Sequence, residues 1–193
     1  TAQDHPVREM HDTFFLKGIE GSLPNEKIVA KVKQAHEKGV EGSKGWEYSW
    51  NENEAKKVVL RTHTTSISAK ILAFLTPKDI PAKFFSIGKC FRNETVDWNH
   101  SFEFYQTEGI VIDKNVTLRH LLGYLSLFYK KMGFSSVRFV PAYFPYTEPS
   151  VEIHAYNSQK KKWIELGGAG IFRPEITYPL LGFQVPVLAW GQG

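Results

Sequence analysis

The sequence predicts an α+β domain in which a mostly antiparallel sheet is flanked by helices. Three observations carry that expectation. Residues 83–112 and 150–166 each read as two strand-like runs joined by a polar segment, the form of an antiparallel hairpin. Residues 23–38, 65–75 and 117–132 place apolar side chains at helical spacing. The 193 residues, 42% apolar and 23% charged, suffice for one packed domain covering residues 1–193 without demanding two.

Composition narrows the function. A net charge of +4 tolerates RNA nearby but is too mild for a dedicated nucleic-acid binder. The single cysteine, Cys90, excludes an internal disulfide framework and suits a reducing cytosol, where a buried inert thiol is its expected state. No apolar run reaches the length of a membrane span and no signal-peptide form is present, so the expected location is cytoplasmic. The seven histidines are scattered, with no cysteine at zinc spacing, and nothing suggests a protein nucleophile.

In chain order, Thr1 to Leu16 is without period until a short apolar strand at Thr13 to Leu16. The helix at Leu23–Lys38 has Asn25 as its cap, Ile28, Val29, Val32 and Ala35 as its stripe, and Gly39 at its end. Gly39, Gly42 and Gly45 with Ser43 mark a loop, and Trp46, Tyr48 and Trp50 a short strand or packed loop. Lys57 to His63 reads as a strand. Thr65 or Ser66 then caps a helix carrying Ile67, Ile71, Phe74 and Leu75, which Pro77 ends. Hydroxyls, an imidazole and open N–H groups at that helix start favour an anion.

In the hairpin of residues 83–112, strand alternation puts Arg92 and Glu94 on one face of the first arm. It puts His100, Phe102, Phe104, Gln106 and Glu108 on one face of the second. Buried charges are costly unless paired or met by a ligand. This face is therefore either a solvated surface with ion pairs or a site for a ligand bearing charges and a flat ring. Thr117 caps a helix to Met132 lined by Leu118, Leu121, Leu122, Leu125 and Phe128, and Val137 begins a strand. Pro145 and Pro149 hold Phe144 and Tyr146 on a stiff, irregular backbone. The second hairpin turns at residues 157–159 and runs into Glu165-Leu166-Gly167-Gly168-Ala169-Gly170, whose glycines permit close approach of a ligand. Val185 to Gly193 reads as a last strand.

The order Phe91-Arg92-x-Glu94, loop, His100-x-x-x-Phe104 resembles motif 2 of the class II aminoacyl-tRNA synthetases. Phe104-Tyr105-Gln106-Thr107-Glu108-Gly109 looks like the archaeal and eukaryotic phenylalanyl alpha-subunit family, as does His5-Pro6-x-Arg8-x-Met10-x-Asp12-Thr13-Phe14. The resemblance implies the class II catalytic core, with phenylalanine, ATP and tRNA(Phe) as substrates, Mg2+ as cofactor and a beta subunit as partner in a heterotetramer. It also implies roles. Arg92 would bridge the carboxylate and α-phosphate as the catalytic residue; Glu94 and Phe104 would hold adenine and His100 the outer phosphates. Gln106 and Glu108 would take the substrate ammonium. His11, His63, Thr65, Phe144, Tyr146 and Ala189 would complete the phenylalanine site, with Glu165 a candidate Mg2+ ligand. Motif 1 and the motif 3 arginine lie outside the 193 residues, so the chain is expected to be a fragment of that domain. Two other readings stand beside it: a phosphoseryl-tRNA synthetase-like enzyme, and a non-catalytic synthetase-like binding module.

Overall fold

A computed structural model describes residue 3 and residues 13–97 and 100–193. Strand β1 (Phe15–Glu20) precedes helix α1 (Glu26–Lys38), a short helix α2 (Glu52–Lys56) and strand β2 (Lys57–Val59). Helix α3 (Thr65–Leu72) leads to strands β3 (Ala82–Phe91) and β4 (Glu103–Ile112), helix α4 (Leu118–Lys131) and strands β5 (Val137–Phe144), β6 (Thr147–Asn157) and β7 (Lys162–Phe172). Helix α5 (Pro174–Leu181) and strand β8 (Val187–Gln192) complete the chain. Strands β3 to β8 form one six-stranded antiparallel sheet in the order β3-β4-β8-β7-β6-β5, and β1 pairs with β2 in a small second sheet. The expected α+β architecture is present.

The two faces of the large sheet pack differently. On one, Val111, Leu188, Ala169, Val151 and Ile153 meet Leu121, Leu125 and Tyr129 of α4 in a closed apolar layer. On the other, Ile110, Ile112, Val187 and Ala189 join Leu72 of α3, Phe172, and Leu181 of α5. That second core covers one end of its face. Towards the other end the same strands carry Gln106, Glu108, Gly168 and Gly191 and line a cavity.

Asn25 caps α1 through an N–H bond from Lys27 at 2.8 Å, as its position suggests. Thr117 precedes α4, but Tyr129 takes a buried place while Met132 stays exposed. The N-cap of α3 is Thr64, not Thr65 or Ser66. Its side chain makes no capping bond, because its hydroxyl is turned to Gln106 and Glu108 of β4. The helix stops at Leu72, leaving Phe74 83% exposed, and Pro77 opens a 3-10 turn. Strand β2 ends at Val59, so Leu60 to Thr64 is a connecting segment. Helix α5 was not legible as a periodic stripe. Pro174 at its first position and Gly182 in the left-handed region after it (φ 78°) are the signals that frame it.

Candidate amino-acid and nucleotide site

The segment before α3 is tied to the hairpin by Arg61. Its Nε and Nη2 both donate to the Lys89 carbonyl, at 3.0 and 2.8 Å, while the Phe91 N–H donates to the Arg61 carbonyl at 2.8 Å. Gly88 makes room: a Cβ there would come within 2.8 Å of the guanidinium. This clamp brings His63, Thr64 and Thr65 over the middle of β4.

Glu108 there is only 1% exposed. The Ser68 hydroxyl makes a short bond to its Oε1, and Thr65 Oγ1, Thr64 Oγ1 and His63 Nδ1 lie 2.8, 3.0 and 3.3 Å from its Oε2. Such an array offsets the cost of burying a carboxylate. Gln106, two residues earlier on the same face, accepts from the Thr64 N–H at 2.9 Å. Thr64 and Ser68 had no assigned role; the hydroxyl-rich run Thr62 to Ser68 was the available signal.

At the other end of the cavity Arg92 lies just beyond β3. Its Nε donates to the Thr62 carbonyl at 3.2 Å, its Nη1 lies 3.6 Å from Glu94, and its guanidinium sits 5.2 Å from the Phe104 ring centre. His100 and Phe102 precede the start of β4, so strand alternation does not govern them; Phe102 is 54% exposed and stays out of the cavity wall. Asp97 bonds His100 Nδ1 at 3.0 Å and holds the imidazole's pKa above its ordinary value.

Phe144 and Tyr146 form the aromatic wall, nearly parallel with ring centres 6.0 Å apart, and the Tyr146 ring lies 6.2 Å from that of His63. Burial pushes the Tyr146 phenol up to about 12. The glycine run lies inside β7, lines the cavity and makes room for its aromatic wall. A Cβ on Gly168 would meet the Phe144 ring at 2.7 Å, and one on Gly170 the Pro149 carbonyl at 2.6 Å. Ala189 is buried beside them and Gly191 beside His63.

Glu165 stands at the mouth, its pKa raised by partial burial and then by the charge of Glu152, whose partner is His154 at 3.2 Å. Two carboxylates that repel in this way fit a divalent cation. No group of three or more histidine, cysteine or acidic side chains gathers for a metal among the described residues, so a bound ion would draw further oxygens from elsewhere. Every expected site residue within the described set lines the one cavity of about 580 Å³; His11 lies outside the described residues.

The chain matches the family model of the tRNA synthetases class II core domain (F) over residues 1–193 and belongs to that family. Among similar proteins, the phenylalanine–tRNA ligase alpha subunits of Methanopyrus kandleri, Methanothermobacter thermautotrophicus and Homo sapiens are 55%, 52% and 49% identical to it. The matches cover 98–99% of this chain but only 37–38% of those proteins.

Proposed function

We propose that this chain is the catalytic domain, residues 1–193, of a phenylalanine–tRNA ligase alpha subunit. It would activate phenylalanine with ATP and pass the acyl group to tRNA(Phe), in the cytoplasm and in a heterotetramer with a beta subunit. No described helix is long and apolar enough to cross a membrane. The observation that carries the reading is one cavity with opposed ends: a buried carboxylate, Glu108, beside an aromatic slot, and a cation, Arg92, over an aromatic face beside Glu94.

In this reading the phenylalanine ring enters between the Phe144–Tyr146 wall and Ala189, with its ammonium towards Glu108 and His63 and Thr65 framing it. The carboxylate attacks the α-phosphate, the bond to pyrophosphate breaks, and phenylalanyl-adenylate forms; the terminal ribose hydroxyl of the tRNA then displaces AMP. Arg92 draws the two anions together, its Nε held by the Thr62 carbonyl and its guanidinium in the cavity lining beside Glu94 and Phe104. Phe104 and Glu94 receive the adenine and His100 the outer phosphates. Glu165, with Glu152, would hold Mg2+, which when bound neutralises phosphate charge.

A slot ending in Phe144, Tyr146 and Ala189 offers no cation for a phosphoseryl group, and a module without catalysis has no need of the buried Glu108 array. Phenylalanine-dependent ATP–pyrophosphate exchange by the full-length gene product tests the reading. Absence of exchange, or exchange driven equally by unrelated amino acids, overturns it.

A further inference from the structure

The sheet face that carries the cavity runs on past it. Glu152, His154 and Tyr156 alternate onto one side of β6, and Trp163 and Glu165 onto the same side of β7. The register pairs Arg138 with His154, His154 with Glu165 and Tyr156 with Trp163. Glu152 and Glu165 line the cavity, and Trp163 stands two residues beyond Glu165, roughly 7 Å further along the strand. There the Arg138 guanidinium lies 4.5 Å from the Trp163 ring centre, and the Tyr156 ring meets Trp163 edge-on with centres 5.6 Å apart. Arg138 is exposed, as is Tyr156.

Around these rings the β6–β7 turn exposes Lys160, Lys161 and Lys162, and no acidic residue occurs from Tyr156 to Ile164. Arg138 and these lysines gather at one end of the sheet although the chain as a whole carries only +4. Flat rings and a guanidinium plane among lysines suit an unpaired nucleic-acid strand, whose bases stack while its phosphates meet the cations. The middle of a protein–protein contact is instead depleted of lysine.

We infer that the Arg138–Trp163–Tyr156 edge is a stacking platform for the unpaired 3′ end of the RNA substrate. It holds a base close to the terminal ribose while that ribose enters the cavity past Glu165. This rests on the tRNA step of the reading above.

The test uses the full-length, assembled protein and two RNA probes: intact tRNA(Phe), and the same tRNA cut back to its last base pair. Trp163→Ala should bind intact tRNA(Phe) roughly tenfold more weakly. It should bind the shortened tRNA as the wild type does, because nothing is left to stack. Trp163→Phe keeps a flat face and should recover most of the affinity. Phenylalanine-dependent ATP–pyrophosphate exchange, which precedes acyl transfer, should be unchanged in both variants.

Equal loss with both RNAs, or no loss with either, overturns the proposal. So does a parallel fall in exchange, which would make the hairpin a support of the cavity wall. Should Trp163→Ala not fold, the exposed Arg138→Gln gives the same comparison, with a smaller loss again confined to the intact tRNA. Release of a protein subunit by Arg138→Gln, with tRNA binding kept, would make this edge a protein contact and overturn the proposal as well. If the wild type shows no exchange, the functional reading itself fails; intact exchange with no effect of trimming the RNA strikes the platform alone.

Discussion

Gln106 and Glu108 lie within β4 with strands paired on either side, and both are almost wholly buried, whereas Arg92, Glu94 and His100 stand on the segment between β3 and β4, the first two partly exposed and His100 half exposed. The first pair is fixed by sheet register and by hydroxyls from α3. The second group is held by few bonds, chiefly Thr62 to Arg92 and Asp97 to His100. The difference matches the proposed ligands. A small, stiff amino acid is selected best by groups locked on rigid elements. A flexible, highly charged nucleotide is met by side chains on a connecting segment that can adjust around it.

Substitutions at the two ends should therefore fail in different ways. The largest effect is expected from Arg92→Ala in the full-length protein: phenylalanine-dependent exchange should fall roughly a hundredfold or more with the fold intact by circular dichroism, since one preorganised donor to developing charge is lost. Near-normal exchange would remove Arg92 from catalysis.

Glu108→Gln should raise the KM for phenylalanine roughly tenfold to a hundredfold while leaving that for ATP nearly unchanged, as expected for a charge-assisted bond to the ammonium. Equal rises for both substrates would mean that Glu108 only anchors α3.

A smaller change is expected at Ala189, whose methyl walls the slot. Ala189→Gly should admit para-chlorophenylalanine to adenylate formation at modest cost to phenylalanine. No gain by the glycine variant would return Ala189 to the ordinary core.

The smallest effect concerns pH. Asp97 raises the pKa of His100, so the imidazolium persists to higher pH than an isolated histidine and is lost as pH rises through that raised value. The KM for ATP should rise over the same interval, and Asp97→Asn should move the rise to lower pH. The KM–pH profile read beside an NMR titration of His100 checks this; identical profiles in the two proteins would detach His100 from the phosphates.

Much of the site was legible because strand alternation is strict. Phe104, Gln106 and Glu108 share a face of β4 as their spacing requires, and the hairpins and the helices α1 and α4 follow from their apolar periods. The glycine run lines the cavity, and its sequence alone does not show that Gly168 and Gly170 are also crowded from within, by the Phe144 ring and the Pro149 carbonyl. Alternation would put Phe102 on the site face, but it stands one residue before β4 begins at Glu103.

By itself, then, the sequence determined the element types, the antiparallel hairpins and the chemistry carried on each strand face, because these depend on neighbours two to four residues apart. Tertiary structure alone decided that Thr64, rather than Thr65, would be the N-cap of α3 and that its hydroxyl and N–H would meet Gln106, 42 residues away. It also decided that Ser68 would reach Glu108 across 40 residues. No local pattern encodes such pairs. They arise when Arg61 clamps one segment over another and buried polar atoms take the partners that packing leaves within reach.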